Sequence, residues 1–295
     1  MKIFIWFNVF ICLYLPAWAD SKENEKTDEG SPSSIGVNLG ADSEKGSNTI
    51  IDGNFYFTRN INISIGGGLS SIRNNDQVTR TSNSSHIGVH YSPNHLINTG
   101  LEFERWGLQN SLEVRNIFLP YNFSFAKWGF GIRPGIGTIV FPDIVILGKI
   151  TPAESESKSI SFKVNYSGLK HWRFSISREK YFYEKDLHRL ASVAAGLIFS
   201  ESTLNLTGSL INYRNAFGII YEFENFDLGV EFEENQSAVT DAISHTAYFN
   251  LSYYLNNNWA LSGQIGHTKS EKDPITGKPI ASIKNINFGI IYSFN

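Results

Sequence analysis

Nine charged side chains alternate with apolar residues along extended stretches of the sequence. The acids are Asp52, Glu102, Glu104, Glu222, Asp227 and Glu231, and the bases are Arg133, Lys163 and Arg173. In a strand with one apolar face, residues at such positions lie on the opposite, polar face. Charged groups gathered on one enclosed face can select solutes by charge, or they can pair and brace the interior. The sequence leaves both interpretations open.

The sequence offers little support for catalysis or metal binding. The motifs G-x-S-x-G and H-E-x-x-H and the phosphate-binding loop are all missing from it. His86 and His90 share one strand face, but at about 3.3 Å per residue they lie roughly 13 Å apart, too far for one metal ion. We therefore assign no catalytic residue, no metal site and no cofactor.

A period of two runs through the chain from Ile35 to the end, and the last stretch shows it most clearly. Alternate residues there are apolar or aromatic, and those between them are polar or small except for Ile291. The alternating set is Ile286, Phe288, Ile290, Tyr292 and Phe294. This period predicts β-strands with one apolar face.

The terminal strand resembles the closing strand of Gram-negative outer-membrane β-barrels, a porin-like class. In that class a final strand of alternating aromatics, ending at or next to Phe, pairs with the first strand and carries the insertion signal. The resemblance implies an all-β, antiparallel up-and-down transmembrane barrel. It also implies that Tyr292 and Phe294 form the insertion signal. The expected partners are the barrel-insertion machinery and the lipid of the outer membrane.

The start of the chain has the layout of a secretory signal peptide. Lys2 precedes an apolar run of thirteen residues, 3–15, broken only by Asn8, and the small-x-small triplet 17–19 follows. The run is too short for a spanning helix, which needs about 20 residues. We expect a signal peptide at 1–19, a flexible periplasmic leader at 20–32 and the barrel at 33–295. Cleavage would remove Cys12, the only cysteine.

The composition fits a barrel in a membrane. Aromatic residues make up 14% of the chain, yet its mean hydropathy is slightly negative, as alternation of lipid-facing and interior residues produces. A soluble β-sandwich would show the same alternation, but its polar face would be rich in Lys and Glu. Here the polar face consists mostly of Asn, Ser, Gly and Thr. The net charge of −3 gives no basic excess for binding nucleic acid.

The pattern marks sixteen strands, or fourteen if short strands merge. Tight turns are expected at 58–60, 92–95, 126–127, 169–171, 201–202, 224–225 and 256–258, and longer polar loops at 73–83, 106–110, 178–190, 233–245 and 268–281. Short periplasmic turns and longer outer loops are typical of these barrels, and an even count places both termini in the periplasm. Pro120 donates no backbone hydrogen bond, so it predicts a bulge or break in its strand.

The longest predicted connection is 138–158. It joins an apolar half, 139–147, to a polar half, 153–158, and connections of this length are often functional. One interpretation folds it into the lumen, with Asp143 and Lys149 near a constriction. The other lets the flanking strands continue beyond the bilayer as a hairpin.

Aromatics near the predicted span ends suit the interfacial girdles of a membrane barrel. They are Tyr91, Trp106, Trp128, Trp172, Tyr253 and Trp259. Together these features predict a passive porin-like channel for small hydrophilic solutes in a Gram-negative outer membrane. The alternatives are an outer-membrane lipid hydrolase or acyl-modifying enzyme, and a structural or adhesive surface protein. A Ser–His pair within hydrogen-bond reach at the outer rim would favour the enzyme.

Overall fold

The computed structural model of the chain describes residues 32–43, 46–73, 79–108, 112–141, 144–146, 149–151, 154–187, 210–238, 241–271 and 282–294. Within these ranges the chain forms seventeen strands. They are β1 (Ser33–Asp42), β2 (Ser47–Thr58), β3 (Ile61–Arg73), β4 (Thr79–Asn94), β5 (Ile97–Leu108), β6 (Glu113–Phe118), β7 (Tyr121–Phe125), β8 (Trp128–Val140), β9 (Ile144–Ile146), β10 (Lys149–Thr151), β11 (Glu154–Leu169), β12 (Trp172–Tyr183), β13 (Ile211–Glu222), β14 (Phe226–Ser237), β15 (Ile243–Tyr254), β16 (Trp259–Ser270) and β17 (Ile283–Phe294).

The strands form a closed antiparallel barrel with fourteen positions. β6 and β7 share one position, because the chain leaves the ladder at Leu119 and Pro120, where the sequence predicts a break. β9 and β10 pair only with each other. The last strand closes the barrel on the first, from Ser33 opposite Phe294 to Asp42 opposite Asn285. The all-β barrel is therefore confirmed, and no helix in the described ranges is long and apolar enough to cross a bilayer.

Of the two predicted strand counts, fourteen is right and sixteen is wrong. The two surplus strands were predicted between 193 and 210, and residues 188–209 lie outside the described ranges. β12 pairs directly with β13, from Trp172 opposite Tyr221 to Lys180 opposite Tyr213. The barrel wall is thus continuous without the intervening segment. The predicted tight turn at 201–202 also lies outside the described residues, whereas the other six turns are found within two residues of their predicted places.

Several predicted loops are wrong because the strands continue through them. β5 runs to Leu108, β12 to Tyr183 and β14 to Ser237. Beyond the apolar band the outward residues become charged, as at Arg178 and Lys180, so both faces are polar there. The period-two signal disappears, although the backbone pairing persists.

The predicted connection 138–158 is shorter than expected. Pairing between β8 and β11 begins at Val140 opposite Glu154, so only 141–153 join them, and these residues include the β9–β10 hairpin. The flanking strands thus continue further than the periodicity indicates, as the second interpretation expects. Asp143 lies outside the described residues and Lys149 is described only through its backbone, so their place at a constriction stays a prediction.

The outside of the barrel is apolar and the inside is polar. In β17, for example, Ile286 and Phe288 are 59% and 50% exposed, whereas the alternate residues Asn285 and Asn287 are buried. A soluble sandwich would bury the apolar set instead. An exposed apolar face of this extent fits a barrel surrounded by lipid.

A belt of cross-strand aromatic pairs surrounds the tight-turn end. Trp128, Trp172 and Trp259 open strands β8, β12 and β16, and each lies directly opposite a tyrosine on the adjacent strand. The ring centroids are 4.6 Å apart for Trp128–Tyr166, 4.8 Å for Trp172–Tyr221 and 4.6 Å for Trp259–Tyr292. Such pairs fit an interfacial girdle.

The apolar core lies inside the barrel at the end with the long connections. We call it the inner apolar cluster, and its members are Trp106, Leu112, Val114, Ile139, Phe141, Leu187, Leu210 and Ala238. Fully burying an aliphatic or aromatic side chain contributes about 1.5–3 kcal/mol, so the cluster stabilises this end. Trp106 therefore does not belong to the girdle: it shares the inward face of β5 with Glu102 and Glu104, and it is 5% exposed.

Candidate functional site

The inward face of β8 is almost bare. From 129 to 137 its inward residues are Gly129, Gly131, Arg133, Gly135 and Gly137, before Ile139 of the inner apolar cluster, and side chains of the neighbouring strands lie over the glycines. A Cβ atom at Gly135 would collide with the Phe118 ring, and one at Gly137 with the Asn116 side chain. Because the inward residues next to it on β8 are all glycines, the Arg133 side chain can extend toward strands on both sides.

Arg133 joins three carboxylates. Its Nε lies 2.7 Å from Glu102 Oε2, its Nη2 donates to Glu104 Oε1, and its Nη1 lies 3.9 Å from Glu179 Oε1. The guanidinium also stacks 3.5 Å from the centroid of the Phe118 ring. The Arg133 side chain is only 8% exposed, so these contacts replace water as its surroundings.

Glu179 extends this network along the wall. Arg214 Nη2 on β13 donates to Glu179 Oε2, and Tyr181 donates its hydroxyl to Glu179 Oε1 over 3.1 Å. Glu233 on β14 lies close enough to interact electrostatically with Arg214. The result is a continuous chain of alternating charge from β5 through β8 and β12 to β13, which we call the Arg133 network.

A second charged group lies nearer the tight-turn end. Arg173 Nε is 2.7 Å from Glu222 Oε1, and its Nη2 is 3.1 Å from Asp227 Oδ2. Tyr254 donates its hydroxyl to the same Asp227 oxygen over 2.8 Å. The two acidic partners of Arg173 thus come from the next two strands, β13 and β14.

The inward surface of β15, β16, β17 and β1 is different, and we call it the neutral wall. The described inward residues of these four strands are uncharged except for Asp42 at the end of β1. Asn287 Nδ2 donates to Gln264 Oε1 over 3.0 Å, and Gln264 Nε2 donates to Asn250 Oδ1 over 2.8 Å. Three amides on adjacent strands therefore form a ladder.

A cavity of about 110 Å³ lies against the neutral wall. The amide ladder and Asn38 line one side of it. Asp227 and Glu231, both on β14, line another. The cavity thus separates the amide surface from the charged part of the interior.

Among the residues that the structure describes, the remaining polar contacts do not assemble a catalytic triad. His90 Nε2 lies 3.5 Å from Ser64 Oγ and 3.7 Å from Glu102 Oε1. A Ser–His–acid triad needs the acid on the other ring nitrogen, whereas both groups here contact Nε2. Asp52 lies near His86, with Oδ1 and Nδ1 3.9 Å apart. The described residues contain no group of three or more His, Cys, Asp or Glu suited to hold a metal ion.

The structure distributes the nine predicted interior charges among four places. Glu102, Glu104 and Arg133 meet in the Arg133 network, and Arg173, Glu222 and Asp227 form the second group. Lys163 interacts electrostatically with Glu231, and Asp52 lies beside His86. That these residues line a solute path stays a prediction.

Sequence reasoning missed Glu179, Arg214 and Glu233, because they lie where loops or strand ends were predicted. Each lies an even number of positions from an inward residue of the same strand, and this spacing indicates an inward side chain. Glu179, for example, lies six residues beyond Arg173 on the same face of β12.

Solved structures with a similar fold are outer-membrane barrels. A Pseudomonas aeruginosa FadL homologue shares 6% identity over 90% of each chain with a TM-score of 0.55. The TodX deltaS2S3 mutant, a monoaromatic hydrocarbon channel, shares 9% over 91% of each chain with a TM-score of 0.52. The NanC porin gives 0.47 at 10% identity, over 88% of this chain and 99% of its own.

The first two similarities show that the chain has the fold of the outer-membrane β-barrel class. No family model matches the sequence. No curated protein matches it either.

Proposed function

We propose that this chain is a passive channel for small hydrophilic solutes in the outer membrane of a Gram-negative bacterium. The observation that carries the proposal is a closed barrel, apolar outside, whose polar interior holds a cavity against an uncharged wall. Eight-stranded barrels are filled by side chains, whereas those with sixteen to eighteen strands leave an aqueous channel. Fourteen positions lie between, and the ion pairs occupy part of that space.

The proposal includes an orientation. Ser33 and Phe294 lie opposite each other at the end that carries the tight turns. Short turns of such barrels face the periplasm. The first and last strand residues of the chain would therefore both lie at the periplasmic opening, and the inner apolar cluster would lie at the extracellular opening. Processing at 19 and a leader at 20–32 complete this arrangement.

The enzyme and adhesion alternatives receive less support. The Ser64–His90 contact lies well inside the barrel, and Glu102 approaches the same histidine nitrogen as the serine. A hydrolase would need a serine activated by a histidine whose other nitrogen is held by an acid. The extended hairpins at the outer end are compatible with surface binding, but no described contact there points to a partner.

A second candidate is a channel for apolar solutes. The inner apolar cluster fills part of the interior at this end with packed apolar side chains, and the similar TodX structure is named a monoaromatic hydrocarbon channel. Because the identity is only 9%, the similarity transfers the fold and leaves the solute to experiment.

Conductance of the purified protein in planar lipid bilayers tests the proposal directly. Folded protein, verified by its heat-modifiable migration on a gel, should insert and produce discrete current steps in concentrated KCl. Liposomes carrying it should also swell in small sugars. Verified folded protein that yields neither current nor swelling would refute a hydrophilic channel, and uptake of an aromatic hydrocarbon by the same liposomes would then support the second candidate.

A further inference from the structure

The inward Lys and Arg side chains that the structure places lie in one part of the barrel wall. Among the described strand residues whose side chains are placed, the inward Lys and Arg are Arg133 on β8, Lys163 on β11, Arg173 on β12 and Arg214 on β13. These four strands are consecutive around the barrel. Their partners lie on these strands, on the flanking β14, or on β5, which is one position beyond the β6–β7 position. The placed Lys and Arg of the interior therefore form their ion pairs on this side.

The neutral wall offers a different chemistry. The Gln264 side chain is held at both ends, since its Oε1 accepts from Asn287 and its Nε2 donates to Asn250. An amide has two donor hydrogens and two acceptor lone pairs, so each member keeps capacity after making the ladder. A fixed row of groups that both donate and accept matches solutes whose own groups do the same, such as the hydroxyls of a sugar.

Small inward residues provide the space in front of this ladder. The cavity is bordered by Ser175 on β12, Gly218 on β13, Gly229 on β14 and Ser262 on β16. Each is serine or glycine, which leaves room in the cavity, and Ile220 on β13 lies against Gly229 and adds an apolar surface to it.

The two carboxylates that border the cavity are compensated. Asp227 is held by Arg173 and by the Tyr254 hydroxyl, and Glu231 interacts with Lys163. A cationic solute would have to compete with Arg173 and Lys163 for them, and an anionic solute would face carboxylates across the cavity. The least costly occupant is polar and uncharged.

We infer that the neutral wall is a binding site for uncharged polyhydroxylated solutes, at which Asn250, Gln264 and Asn287 contact the hydroxyl groups within the cavity. The inference rests on the proposed channel function and specifies its solute class.

The test uses three probes of similar size and different charge: glucose, glucosamine as the cation and gluconate as the anion. Each is added to a bilayer that holds the open channel, and the reduction of ion current is measured. Glucose should reduce the current at the lowest concentration. The variant Gln264→Leu should raise the glucose concentration needed by about tenfold, because it removes the one donor and the one acceptor position that Gln264 keeps for a solute, each worth a modest amount.

Two residues of β16 supply a matched pair of variants. Ser262→Trp fills the cavity and should abolish the glucose effect while lowering the ion current. Ile265→Trp places the same side chain on the lipid face of β16, where Ile265 is 58% exposed and does not border the cavity, and should leave both unchanged. Heat-modifiable migration verifies that each variant folds.

The measurements distinguish an error in the binding-site inference from an error in the proposed channel function. Absence of ion current in the wild type would refute the channel function and, with it, the inference. A normal current on which glucose has no effect, or a stronger effect of glucosamine or gluconate, would overturn the inference alone. A glucose effect that survives both Gln264→Leu and Ser262→Trp would overturn it as well.

Discussion

Replacing Arg133 by Met should destabilise the barrel more than any single change at the outer surface. Methionine keeps most of the volume beside the Phe118 ring, but it leaves Glu102 and Glu104 without the cation that joins them. Glu179 loses a weaker contact and retains Arg214. The perturbation therefore consists mainly of two partly buried carboxylates that lie side by side on the inward face of β5 without a cation between them.

The magnitude follows from the burial of these groups. Breaking a buried ion pair by removing one partner costs about 3–5 kcal/mol. The Arg133 side chain is 8% exposed, but the Glu102 and Glu104 side chains are 18% and 21% exposed, so water offsets part of the loss. We expect the free energy of unfolding to fall by about 3 kcal/mol, near the lower limit of that range.

Denaturant unfolding of the purified protein in liposomes, followed by tryptophan fluorescence, measures this loss. Arg115→Met is the matched control, because Arg115 is exposed on the outer face and contacts Glu113 there. It should cause no measurable change. The triple variant Arg133→Met, Glu102→Gln, Glu104→Gln removes the stranded charges and should recover most of the stability. A loss for Arg133→Met as small as that of the control would refute the reasoning.

Three further changes test other features. A double-mutant cycle of Trp172→Ala and Tyr221→Ala should give a coupling of about 0.5–1.5 kcal/mol in the same unfolding assay, and a coupling of zero would argue against the aromatic belt as a stabilising unit. Phe294→Ala should slow assembly into the outer membrane in pulse-labelled cells, whereas Ser293→Ala should not; equal rates would remove Phe294 from the insertion signal. Deletion of 142–152, which spares β8 and β11, should raise the single-channel conductance if the connection narrows the lumen, and an unchanged conductance in a folded variant would exclude the constriction.

The sequence predicts the barrel wherever lipid imposes a pattern. Within the apolar band every second residue must be apolar, so strands such as β17 and the break at Pro120 are readable. Above the band both faces are polar, and the pattern gives no sign that β12 continues to Tyr183. Two predicted strands near 193–210 arise from alternation that the described barrel wall does not use.

The interior is only partly predictable. Parity identifies Arg133 as inward, but it cannot say that the residue reaches two strands away to Glu179, because that reach depends on the bare glycine face of β8. The sequence pattern likewise identifies Arg173 and Lys163 as inward. That the four placed inward cations lie on consecutive strands becomes apparent only once the order of strands around the wall is known.

The neutral wall has a consequence for how the protein is made. It contains the seam between β17 and β1, where the last strand synthesised meets the first. The ion pairs of the Arg133 network and of Arg173 lie between β5 and β14, away from that seam. An unclosed sheet entering the bilayer can therefore neutralise these charges before its edges meet. Apart from Asp42 at the end of β1, closure then requires backbone hydrogen bonds and the fitting of uncharged inward side chains, so the final step of biogenesis has no ion pairs of the two arginine groups to match across the gap.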